Sequence, residues 1–233
     1  VWRPRVAIVT IGALVALVLT AGVIGALVRM GGDASAQLSG LGPQGRVPQF
    51  KVECAWSHAA ADDPIVQPGH AGHSHLHDFF GNTATDAAST ASSLRGGDTT
   101  CQNKLDTAAY WAPALYRDGE PLTPIGSVAY YRPGLGVDPI SVEPYPAGLM
   151  MIGGDHSATE AQPLEVAAWH CGSSPVLHAE PPACPRTATL GVRVTFPDCW
   201  DGHHLDSDDH RSHVAHSHGG RCPADHPVPI PQL

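Results

Sequence analysis

Strict alternation of apolar and polar positions is clearest between Leu190 and Phe196. Leu190, Val192, Val194 and Phe196 share one face there, and Gly191, Arg193 and Thr195 share the other, the period-two pattern of a half-buried strand. Shorter stretches at Val128–Tyr131, Leu149–Ile152 and Glu165–His170 predict three more strands. Pro113, Pro121, Pro124, Pro133, Pro139, Pro144 and Pro146 exclude a long helix from the middle of the chain. Asp86–Leu94 has room for one short helix, which its Ser and Thr content weakens. Val6–Val28 is different, an uncharged apolar run of 23 residues, long enough for a hydrocarbon core of ~30 Å. The pattern predicts a mainly β fold, a single loop-rich sandwich or distorted jelly roll, preceded by one N-terminal transmembrane helix.

Arg3 and Arg5 before the apolar run favour a cytoplasmic N-terminus and an exported remainder. The expected organisation is a short cytoplasmic N-terminus at 1–5, a transmembrane helix or signal-anchor at 6–28, a flexible linker at 29–49 and an extracytoplasmic domain at 50–233. Its localisation is then the cell membrane, single-pass. The alternative is a secreted protein, cleaved after Ala34-Ser35-Ala36. Cys54, Cys101, Cys171, Cys184, Cys199 and Cys222 make an even set in the exported part and read as disulfides. Six cysteines allow fifteen pairings. Sequence-local pairing is the expectation, Cys54–Cys101, Cys171–Cys184 and Cys199–Cys222.

The net charge of −9 hides an asymmetry, because residues 1–50 carry four arginines against Asp33 alone. The remainder is strongly acidic, which repels phosphate backbones and excludes nucleic acid as a partner. Below about pH 6.5 the 15 histidines would offset much of that charge.

Two histidine clusters carry the candidate chemistry. In the first, Gly69–Asn82, an extended backbone would project His73, His75 and His77 from one face, with Asp78 on the other. The second follows the strongest strand and holds Asp206, His210 and His213, with His216 and His218 beyond them. Mixed imidazole and carboxylate donors suit Zn, Mn or Fe(II) better than a soft-ligand metal. His75, His77, His210 and His213 are the expected metal ligands and Asp206 the expected catalytic base. The cofactor would be a divalent metal such as Zn or Mn. Loop histidines and aspartates also serve simply to satisfy backbone groups, so a structural network is the competing reading. The chain has no GxSxG, HExxH or phosphate-cradling glycine loop, which removes support from those hydrolase and nucleotide-binding classes.

Several motifs in order carry a family resemblance. They are Ser74–Asn82, Tyr110-Trp111-Ala112-Pro113, Gly148–Ile152, Phe196–Gly202 with Leu205-Asp206-Ser207 and Asp209-His210, and Cys222–Pro231. Residues 50–233 resemble domain-of-unknown-function family nineteen-ninety-six. The resemblance implies an exported protein of bacterial or fungal type, in a family sometimes joined to carbohydrate-binding modules, and brings no biochemical activity with it. Family members continue past the proline-rich segment, so it also implies truncation at Leu233.

Two readings of function remain. One is a membrane-anchored domain at the cell envelope that acts on polysaccharide by metal-assisted hydrolysis or lysis. The other is a non-catalytic carbohydrate- or wall-binding module whose His/Asp network is structural.

Overall fold

The computed structural model describes residues 12–14 and 48–233. Among these, twelve strands follow one another: β1 (Gly12–Leu14), β2 (Phe50–Ala60), β3 (His77–Gly81), β4 (Ala109–Pro113), β5 (Leu115–Arg117), β6 (Glu120–Leu122), β7 (Gly126–Tyr131), β8 (Ala167–Cys171), β9 (Leu190–Val194), β10 (Cys199–Trp200), β11 (Val214–Ala215) and β12 (Val228–Pro229). The main sheet is antiparallel, in the order β1-β4-β3-β2-β7. Two hairpins, β5-β6 and β8-β9, and a three-stranded sheet β11-β10-β12 complete the ladder. The one helical element among the described residues is a 3-10 turn at Pro139–Ser141, capped by Asp138. The fold is mainly β, as expected.

The centre of the sheet is buried on both faces, which explains why its sequence does not alternate. Phe79 on β3 lies opposite Trp111 on β4, and with Ile65, Leu94, Ala109 and Ile152 they form one core. Their neighbours Phe80 and Tyr110 point the other way, into a second core with Val52, Cys54, Cys101 and Ala129. A strand with two dry faces reads as a continuous apolar run rather than as a period of two. A third core, around Tyr145, Leu149, Met151, Phe196, Val214 and Ile230, lies under the three-stranded sheet. Tyr131 packs against both the second and the third core. The chain end joins them too: Arg132 and Gln232 exchange backbone hydrogen bonds, and Phe196 N–H donates to the Leu233 carbonyl.

All three expected disulfides form, Cys54–Cys101, Cys171–Cys184 and Cys199–Cys222, and the described residues hold no free cysteine.

Three local expectations change. The alternating strand ends at Val194, and Phe196 turns into the third core. Asp86–Leu94 forms turns instead of a helix, because side chains take the backbone donors: Asp86 Oδ1 accepts from Ala88 N–H, and Thr90 and Ser93 bond each other's backbone. Leu149–Ile152 forms no named strand but lies along a neighbouring loop, Met150 N–H donating to the Leu205 carbonyl and Ile152 N–H to that of His210. Among the described residues no helix is long and apolar enough to cross a membrane. The expected membrane segment 6–28 lies outside them, apart from β1, which pairs with β4.

Candidate functional site

β2 runs on to Ala60, and the chain then turns at Asp62 and Asp63 before returning as β3. The Asp62 carboxylate organises the return loop, accepting from Gly72 N–H at 2.9 Å and Ala87 N–H at 3.2 Å. Gly69 and Gly72 take positive φ there, which lets the His70–His73 segment turn back tightly. His77 opens β3 opposite Ala60. Strand alternation sets His77 on the Phe79 face, and the Asp78 carboxylate on the other face accepts from Trp56 Nε1–H at 2.7 Å.

His77 is fully buried, and its Nδ1–H donates to the Asp62 carbonyl at 2.9 Å. This bond fixes the tautomer, leaving the lone pair on Nε2, which has no hydrogen-bond partner. Nε2 faces Asp63 Oδ2 at 3.8 Å, too far for a hydrogen bond. Asp63 is itself buried, and its Oδ1 is used by the Ile65 and Val66 N–H groups, each at 2.9 Å. The His75 ring stands 4.3 Å from that of His77, centroid to centroid. His156, reached through the Gly153-Gly154 turn, lines the same pocket and has a buried Nδ1 without a partner. Burial pushes the His77 imidazole down to about 4; His75 adds to the depression and Asp63 opposes it. Burial also lowers the His75 pKa, with Asp63 opposing and His156 reinforcing. Both rings are therefore neutral proton acceptors at neutral pH.

The second cluster is built differently. Asp206 Oδ1 bonds His210 Nδ1 at 2.7 Å and accepts from Ser207 N–H. The Ser207 hydroxyl donates to Asp209 Oδ1 at 2.9 Å and receives His213 Nδ1–H at 2.8 Å. A nucleophilic serine needs the imidazole between the hydroxyl and the carboxylate, whereas here the hydroxyl stands in the middle. Asp209 also accepts from Arg211 and Ser212 N–H, and the Ser212 bond above all holds its carboxyl well below the usual range. Asp201 accepts from the His203 and His204 backbones and from the His204 ring. These carboxylates spend their lone pairs on closing their own loop.

Sequence reasoning placed His75, His77, His210 and His213 on one ion with Asp206 as base. The structure brings His75 and His77 together, but with Asp63 and His156. His210 and His213 stand on the other loop with Asp206 and Ser207, joined to the His156 segment by an Arg211–Asp155 ion pair of 3.3 Å. His73 lines the mouth of the first pocket. Asp63 and His156 were missed. Their signals are slight, an Asp-Asp pair directly after a strand and a Gly-Gly-Asp-His turn. Among the described residues no three His, Cys, Asp or Glu side chains stand at metal-binding distances as the chain lies.

A family model described as Domain of unknown function (DUF1996) matches residues 63–233. The chain belongs to that family. Asp63, His75, His77 and His156 all fall inside the DUF1996 domain, Asp63 at its first position, whereas β2, which leads into the turn, precedes it. No curated protein and no solved structure matches the chain.

Proposed function

We propose that this DUF1996 chain is an exported domain that acts on cell-envelope polysaccharide by hydrolysis or lysis, with its reaction centre at the pocket lined by Asp63, His75 and His156 and at the neighbouring His77. The observation that carries the reading is His77 Nε2, fully buried and without a hydrogen-bond partner, which faces Asp63 Oδ2 across 3.8 Å. Folded chains rarely leave such groups unsatisfied without a use for them. Hydrolysis requires a base to take a proton from water, and eliminative lysis a base to take one from carbon. Neutral imidazoles beside a carboxylate suit either task. Three disulfides support an extracellular setting. Polysaccharide as substrate rests on analogy with the carbohydrate-binding modules to which members of the family are sometimes joined.

The Asp206 loop favours the second reading for its own residues: its aspartates close turns, so its network is structural. The test is turnover by the full chain on cell-envelope polysaccharide, read as new reducing ends for hydrolysis or as unsaturated sugar absorbance for lysis. Asp63→Asn and His156→Ala should abolish turnover, and Asp206→Asn should retain it. Loss in Asp206→Asn with activity intact in Asp63→Asn overturns the choice of site. Affinity for the polymer without turnover in the unaltered chain establishes the binding-module reading instead.

A further inference from the structure

We propose that Asp63, His75, His77 and His156 form a site for one divalent ion of the zinc class. The inference rests on the same pocket as the proposed function, and adds what fills it.

Half of the site is already in place. An imidazole that ligates a metal is held by a hydrogen bond at its other nitrogen, commonly to a backbone carbonyl. His77 has that arrangement, Nδ1–H on the Asp62 carbonyl and Nε2 free and buried. Asp63 is arranged in the same way, with Oδ1 tied to two backbone N–H groups and Oδ2 left over. The two free atoms stand 3.8 Å apart. Two ligands at ~2.0–2.1 Å from a tetrahedral ion lie roughly 3.3 Å from each other. A separation of 3.8 Å is thus too long for a hydrogen bond and within a few tenths of an ångström of a shared cation. A carboxylate oxygen and an imidazole lone pair held face to face repel; a cation between them turns the repulsion into attraction.

The other half has to close. His75 is exposed and sits with its ring 4.3 Å from that of His77. His156 is partly buried and keeps an unpartnered Nδ1. Rotation of these two rings onto the ion completes three nitrogens and one oxygen. Asp63, His75 and His156 line a cavity of about 180 Å³, ample for an ion and a water. Three imidazoles exclude calcium and magnesium, which require oxygen, and the absence of thiolate disfavours Cu(I).

The test uses Zn²⁺ alone and the full chain. After dialysis against a weak chelator, elemental analysis should find close to one equivalent. Co²⁺ substituted for it should give the visible bands of a tetrahedral site. His156→Ala and His75→Ala, neither of them a member of the three cores, should each raise Kd at least 100-fold with circular dichroism unchanged. His210→Ala, and a combined His213→Ala/His216→Ala/His218→Ala chain, should still retain the equivalent. A folded chain with no bound zinc overturns the inference, and so does loss of zinc in His210→Ala but not in His156→Ala. The two failures are separable. Zinc bound without turnover overturns the proposed function alone, and turnover by a folded chain that binds no zinc overturns the metal site alone.

Discussion

Removing one disulfide offers the sharpest quantitative test of how this domain is held together. Cys54 and Cys101 are buried in the second core, beside Phe80, Tyr110, Val52 and Ala129, and close a separation of 47 residues. In the chain-entropy account, opening a loop of that length costs about 4 kcal/mol at 25 °C. Replacing both residues with alanine also removes two sulfur atoms from a packed core, worth roughly 1–2 kcal/mol more by analogy with losing a methyl group at each position. Cys171–Cys184 is the internal control: it closes 13 residues at a half-buried hairpin, for about 3 kcal/mol and little cavity cost. Cys54→Ala/Cys101→Ala should therefore lower stability by ~2 kcal/mol or more beyond Cys171→Ala/Cys184→Ala. For a domain of this size that is a further drop in Tm of roughly 4–8 °C. Thermal unfolding of both variants and the parent, in one buffer, reads the difference. Equal losses, or a larger loss at the hairpin, would refute the argument that loop length and core burial set the order.

Further outcomes follow from single contacts. Gly134→Ala would drive a methyl into the buried Asp198 carboxylate, which is fixed by Ser217 N–H at 2.7 Å, and should cost about 1–3 kcal/mol in chemical denaturation. Trp56→Phe leaves the buried Asp78 carboxylate without its indole donor, at a cost of roughly 1–3 kcal/mol by the same assay. Stability should fall on acidification: burial depresses the pKa values of His75, His77, His213 and His216, so the unfolded chain binds more protons. That stabilisation is complete above about pH 6.5 and is lost as pH falls towards about 4, and His77→Gln should flatten the slope in that window. His226 runs the other way. Burial lowers its pKa, but the Asp225 carboxylate beside it wins and raises it, so its small, partly exposed contribution is present below about pH 6.5 and lost as pH rises through the folded value. Asp225→Asn should remove that term in the same titration.

Local composition and spacing account for a definable part of this architecture. Six cysteines in chain order paired with their sequence neighbours, the proline-rich middle formed no long helix, and the Leu190 alternation gave a half-exposed strand. The family was legible from motifs spread over the domain. His75 and His77 were legible as a pair because strand periodicity alone places them near each other.

Which groups share a pocket depends on contacts between segments far apart in the chain. Phe79, Phe80, Tyr110 and Trp111 gave no alternation because two cores, one on each face of the sheet, bury all four. Asp63 and His156 lie 93 positions apart in the numbering, and nothing local marks them as neighbours. They meet because β2 ends where β3 begins, and because the segment after Leu149 lies along the Leu205–His210 loop. The histidines of that loop look equivalent to His75 and His77 in sequence. The fold separates them by partner: the carboxylates of the Asp206 loop close its own turns, whereas His77 Nε2 is left facing Asp63 Oδ2.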